Sequence, residues 1–184
     1  LFESATEKNS VVAQIFYLKN QDPKIWKDRV ENVHATIDLN RLWTDDNIDK
    51  LHNQGFEKHE LNPDIIEMIK IDQLIQEFQN TASGKEHYFI DLHTTSAPSV
   101  PFAVVNRNDH SIDMALKFPL PVVVNMSEYI KGTMLNYFNN QGFHGLVFEA
   151  GQHDDPFSIT KHEAIVWLVL AESGAIPKES IPDY

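Results

Sequence analysis

Apolar runs too short for anything but strands alternate along this chain with longer stretches whose apolar residues recur at helical spacing. Val11–Leu18 is rich in β-branched and aromatic residues and predicts a strand, followed by a polar, proline-containing loop over Lys19–Lys27. Val33–Leu39 predicts a short irregular or extended segment that ends in Asp38-Leu39-Asn40-Arg41. Asn62-Pro63 predicts a helix start, because asparagine caps the first free N–H groups and proline suits the first helical position. Ile65, Ile66, Met68, Ile69, Ile71, Leu74, Ile75 and Phe78 then carry a long helix to about Asn80, with Ser83-Gly84 ending it. Strands are predicted at Tyr88–Leu92, Phe102–Val105, Val122–Val124 and Leu146–Phe148. Between and after them, helices are predicted over Ser111–Phe118, stopped by Pro119, over Tyr129–Phe138, and over Thr160–Ala171, ended by Ser173-Gly174. Strands alternating with helices imply an α/β architecture. No repeat, low-complexity tract or linker divides the chain, so residues 1–184 read as one domain.

Two of the strands run into chemistry. Tyr88-Phe89-Ile90-Asp91-Leu92-His93-Thr94-Thr95-Ser96 passes from an apolar run into an acid, a histidine and three hydroxyls. Ligands in open α/β sheets bind outside the carboxyl ends of the strands, which is where His93 falls. Asp91, two residues back, shares its face of the strand and suits the role of a carboxylate behind a metal-bound imidazole. Leu146-Val147-Phe148 ends similarly on Glu149. If the two strands are parallel neighbours, His93 and Glu149 reach the same edge. An imidazole to hold a metal beside a glutamate to take a proton suits a zinc hydrolase. Taken singly, each residue also has an ordinary explanation: a histidine that only hydrogen-bonds, or an edge carboxylate paired with a lysine. Asp38-Leu39-Asn40-Arg41 offers an amide and a guanidinium to an anion, or equally a turn closed by its own hydrogen bonds. His153 reads as a rim or substrate residue or, more simply, a solvated loop histidine, and His110, His144 and His162 as surface or packing residues.

Composition narrows the classes. Hydrophobic residues make up 42% and charged residues 23% of the 184, which suits a globular chain with a sizeable core. The formal net charge of -12 argues against nucleic acid and against an anionic membrane as partners. The longest apolar run, Ala164–Ala171, is far short of the roughly 20 residues a membrane helix needs. There is no cysteine, hence no disulfide framework and no thiolate metal site, which fits a reducing, cytoplasmic setting. The chain opens at Leu1 as though within a helix already under way, and reads as truncated at its N-terminus. No oligomeric state is assigned from sequence.

In this order, Asp38-Leu39-Asn40-Arg41, Asp91-Leu92-His93-Thr94-Thr95-Ser96-Ala97-Pro98 and Phe148-Glu149-Ala150-Gly151-Gln152-His153 resemble the succinylglutamate desuccinylase/aspartoacylase family, relatives of the zinc carboxypeptidases. The resemblance spans roughly Val11 to Gly174. It implies a zinc-carboxypeptidase-like fold, a mixed and mostly parallel sheet with helices on both faces. It further implies one zinc ion per subunit, with His93 as a ligand, Glu149 as the carboxylate that activates water, and Asn40 and Arg41 as the grip on a substrate carboxylate. The implied reaction splits the amide of an N-acylated amino acid, a small carboxylate substrate. The alternatives are a carboxypeptidase-like metallopeptidase and a metal-free carboxylate-binding domain on a degenerate hydrolase fold. Three features depart from the family pattern. The HxxE motif that supplies the other two ligands does not occur before residue 38, and the resemblance places it upstream of Leu1. An arginine usual just before the DLNR motif has its counterpart near Val33, with Arg29 the nearest substitute. The substrate-binding arginine of the aspartoacylases has no counterpart between Lys131 and Gly145.

Overall fold

The computed structural model describes residues 38–82, 84–107 and 109–182. The expected strand at Val11–Leu18, the loop after it, Arg29 and Val33 lie outside the described residues. The chain divides between Lys85 and Glu86 into two compact units.

In the first unit, Asp38 caps a 3-10 turn, Leu39–Arg41, by accepting from the Asn40 N–H at 2.9 Å. Leu42 and Trp43 then turn inward and are buried. Thr44 caps a short helix, α1 (Asp45–Asp49), which runs on into a π-helical turn, Lys50–Gln54. The helix expected from Asn62-Pro63 is α2 (Pro63–Thr81), and the Asn62 side chain accepts from both the Asp64 and Ile65 N–H groups at 3.0 Å. Its buried residues include Ile65, Met68, Asp72 and Ile75, a stripe along one side of the helix. Asp72 within that stripe is not left unpaired: His52 Nε2 lies 3.1 Å away and Gln76 Nε2 donates at 2.6 Å.

The second unit is built on four strands, β1 (Tyr88–Thr95), β2 (Phe102–Val105), β3 (Val122–Val124) and β4 (His144–Gln152), in the order β1-β4-β2-β3. β1 runs parallel to β4, and β2 parallel to β3; β2 and β4 are antiparallel. The sheet is therefore mixed and mostly parallel, and the α/β expectation holds. Helices cover both faces. Leu146, Phe148 and Ala150 of β4 pack with Met114 and Ala115 of α3 (Asp109–Ala115) and with Ile165 and Val169 of α5 (Ser158–Glu172). On the other face Val147 and Val104 meet Leu135 of α4 (Met134–Asn140), and the ring of Phe89 stacks on Phe138 at 3.8 Å. Gly145 is small because α4 lies directly over it: a Cβ there would sit 2.7 Å from Leu135 Cδ1. Among the described residues no helix is long and apolar enough to cross a membrane.

Several boundaries differ from the sequence reading: β4 begins at His144 rather than Leu146, and the helix expected over Ser111–Phe118 runs instead over Asp109–Ala115. β1 and β4 continue past Leu92 and Phe148 to Thr95 and Gln152, because the backbone ladder pairs irrespective of side-chain polarity. The helix expected over Tyr129–Phe138 starts only at Met134. Gly132 adopts φ 72, which breaks helical continuity, and Thr133 supplies the cap by accepting from the Asn136 N–H. Residues Met126–Glu128 form a separate 3-10 turn.

Candidate active site on the strand pair β1 and β4

His93 and Glu149 are register partners across the parallel ladder. Neighbouring strands lie about 4.8 Å apart, so two partner side chains on one face stand side by side. That face is set by alternation: Phe89, Asp91 and His93 on β1, with Gly145, Val147 and Glu149 on β4. It is the face that carries α4, and Phe102 of β2 pairs with Glu149 from the other side. The carboxylate and imidazole thus stand just beyond the apolar part of their face.

Asp91 holds His93. Its Oδ2 lies 2.9 Å from His93 Nε2, and Asp91 is only 6% exposed. A carboxylate in that position assigns the ring proton to Nε2 and turns the Nδ1 lone pair to the ligand role. Glu149 is half-buried, and its Oε2 is shut off from water with no hydrogen-bond partner. Burial raises its pKa, and the negative charge of Asp91 adds to the rise, while His93 and His153 act in the opposite direction. A carboxyl whose proton affinity is raised by its surroundings suits a group that must take a proton and return it.

The strand ends are held by contacts that the sequence did not disclose. His162 on α5 donates from Nε2 to the His93 carbonyl at 2.8 Å and packs edge-on against Phe148. Burial lowers its pKa, and the hydrogen bond to the His93 carbonyl acts in the opposite direction. Only a backbone atom distant in sequence is involved, so no motif could have shown it. His153, read as a solvated loop residue, is exposed but tied down. Its Nδ1 lies 2.8 Å from Thr94 Oγ1, and its N–H donates to the Thr95 carbonyl at 3.0 Å.

β4 carries one residue more than β1 between the pairs His93/Glu149 and Thr95/Gln152, a bulge beside the site. Gly151 lies in it with φ 102, and a Cβ there would meet the Ser99 carbonyl at 3.2 Å. Lys161 clamps the outgoing turn by donating to the Ala150 carbonyl at 3.2 Å and to Asp155 Oδ2 at 2.5 Å. That ammonium is the main reason the Asp155 pKa is lowered.

The structure therefore brings Asp91, His93 and Glu149 together. Asn40 and Arg41 belong to the first unit and are described there by themselves. The Arg41 Nη1 donates to the Asn40 carbonyl at 2.6 Å and lies 3.8 Å from Asp38 Oδ2, so the turn is closed by its own hydrogen bonds. The Arg41 side chain is 45% exposed. At the opposite ends of β1 and β4, Glu86, His110 and His144 converge, although the two histidines have no motif context in the sequence.

Comparison with known proteins agrees with the motifs. The model of the succinylglutamate desuccinylase/aspartoacylase catalytic domain matches residues 28–171, starting later than the resemblance from Val11 suggested. No curated protein matches the chain. The match covers most of the chain and includes Asn40, Arg41, Asp91, His93 and Glu149, and on that ground the protein belongs to the succinylglutamate desuccinylase/aspartoacylase family and carries its hydrolase-type catalytic domain.

Proposed function

We propose that this protein is a zinc-dependent amidohydrolase that splits an N-acyl amino acid into a carboxylic acid and a free amine. The observation that carries the reading is the register pairing of His93 with Glu149, with Asp91 bonded to the imidazole. The donor set fits a zinc ion: a histidine whose orientation and tautomer are set by a buried carboxylate, beside a glutamate with an unsatisfied oxygen. His93 is the ligand this chain would supply. A zinc ion held there would polarise the scissile carbonyl and make a water more acidic.

The chain's own residues account for the proton traffic. Glu149 takes a proton from the attacking water as its oxygen bonds to the carbonyl carbon. It then delivers that proton to the departing nitrogen as the carbon–nitrogen bond breaks. A raised proton affinity helps the second transfer, and the neighbouring imidazole limits the rise so that the first remains feasible. Asp91 keeps the His93 ring in place throughout. Arg41 grips the substrate carboxylate through two parallel N–H groups, with Asn40 adding a directional donor. That grip requires Arg41 to leave the local carbonyl it now contacts, and its exposure allows this.

A second reading, a carboxypeptidase-like metallopeptidase, is favoured by the lack of any arginine between Lys131 and Gly145. A panel of N-acyl amino acids and dipeptides, offered to the zinc-loaded protein, separates the two. Faster cleavage of the N-acyl amino acids is expected. Preferred cleavage of dipeptides would move the assignment to the second reading, and tight substrate binding with neither cleavage nor zinc uptake would reduce the protein to a carboxylate-binding domain.

A further inference from the structure

The strands that carry the candidate active site at their carboxyl ends carry a second cluster of metal-ligating side chains at their amino ends. Glu86 precedes β1, His144 opens β4 opposite Tyr88, and His110 lies in α3. One ligand atom from each of the three lies within 4.8 Å of the others. None of them belongs to the three motifs of the candidate active site, and in the parallel register they stand at the other end of the ladder from His93 and Glu149.

We propose that Glu86, His110 and His144 form a second metal site, for one divalent cation of the zinc class. Two imidazoles and a carboxylate without thiolate suit borderline divalent metals, zinc above all. Zinc bonds of about 2.1 Å place tetrahedral ligands roughly 3.4 Å apart, so the side chains need to close by little more than an ångström. Glu86 and His110 are exposed and have room to do so. The surroundings are already arranged for this. Tyr88 Oη donates to Glu86 Oε2 at 2.9 Å and orients the carboxylate, as hydrogen-bonding groups behind metal ligands commonly do. The rings of His110 and His144 lie 4.6 Å apart at 35°, and Tyr88 flanks His144 at 5.2 Å. His144 Nδ1 is buried without a hydrogen-bond partner, so the half-buried ring is poorly served by protein contacts alone. A cation here would tie the start of β1, the start of β4 and α3 together, and so act as a structural clamp. The open fourth position would take a water.

Zinc chloride titrated calorimetrically into the metal-stripped intact protein tests the site, with melting temperature as a second readout. In His93→Ala, one equivalent of zinc should still bind and still raise the melting temperature. In His110→Ala and in Glu86→Gln, both changes at exposed positions, that equivalent should bind at least tenfold more weakly and the zinc-dependent rise should shrink. Zinc binding that vanishes with His93 alone would overturn the proposal, and so would no zinc binding at all. Unchanged zinc binding in both His110→Ala and Glu86→Gln would do the same.

Discussion

The two ends of the β1/β4 pair hold similar chemistry in different ways. At the carboxyl end, His93 and Glu149 are direct partners in one ladder, Asp91 on the same strand grips the ring, and His162 pins the backbone from α5. At the amino end, Glu86, His110 and His144 come from three separate segments, two of the three are exposed, and Tyr88 orients Glu86. The first arrangement is partly desolvated. A carboxylate with raised proton affinity beside an oriented imidazole suits the proton transfer proposed there. The second is more exposed, and suits the binding role proposed for it. The same residue types differ here in how they are held, as direct partners in one ladder at one end and by convergence of separate segments at the other.

Substitutions confined to one end should sharpen the contrast. Asp91→Asn keeps the shape and removes the charge behind His93. It should lower zinc affinity at the carboxyl end by roughly 10–100-fold and reduce turnover with it. The zinc equivalent assigned to Glu86, His110 and His144 should be untouched, which calorimetry on the metal-stripped protein would show. A matching loss at both ends would break the distinction.

Gly151→Val places a β-branched residue at φ 102 with its Cβ against the Ser99 carbonyl. It should cost about 1–3 kcal/mol of stability in urea unfolding and disturb turnover more than that loss alone explains, because the bulge follows Glu149 by two residues. Gly145→Val drives a side chain into Leu135 and Asn139 of α4. Overpacking of this kind costs about 1–3 kcal/mol, yet it should leave the Michaelis constant of the folded fraction unchanged. Equal kinetic effects of the two glycine changes would contradict the separation of the ends.

The smallest effect expected is a pH dependence. Glu149 has its folded-state pKa raised above the ordinary 4.5, mainly by burial. The folded protein therefore holds that proton more tightly than the unfolded chain, and stability contributed by the protonated form is lost as pH rises from 4.5 through the raised value. Glu149→Gln cannot ionise, so it should be more stable than the wild type at neutral pH and equal to it in acid below 4.5. Melting curves across that range check the sign, and greater wild-type stability at neutral pH would refute it.

Much of this was legible in the sequence. The apolar runs at Tyr88, Phe102, Val122 and Leu146 are the four strands, and Asn62-Pro63 marks the start of α2 to the residue. The condition attached to His93 and Glu149, parallel neighbouring strands, is met. Other features were hidden for physical reasons. β1 runs on through Thr94 and Thr95 because the backbone ladder pairs regardless of side-chain polarity, which an apolar pattern does not show. Helical spacing does not register the φ of Gly132, and α4 starts only beyond it. His162 and His153 act on groups far away in sequence, a carbonyl and a hydroxyl, which no local pattern encodes. Glu86, His110 and His144 have no shared motif and meet only through the topology. The turn at Asp38-Leu39-Asn40-Arg41 admitted two uses from sequence, and its internal hydrogen bonds bear out the structural one while its grip on substrate stays a proposal.

The most direct test of the central claim is the turnover of an N-acyl amino acid by the zinc-loaded intact protein and by its Glu149→Gln variant, with zinc content measured on the same samples. Loss of a proton-transfer group at the reacting centre should lower turnover by about 10²–10⁴-fold with zinc content unchanged. Wild-type turnover in the variant, with zinc fully bound, would contradict the account.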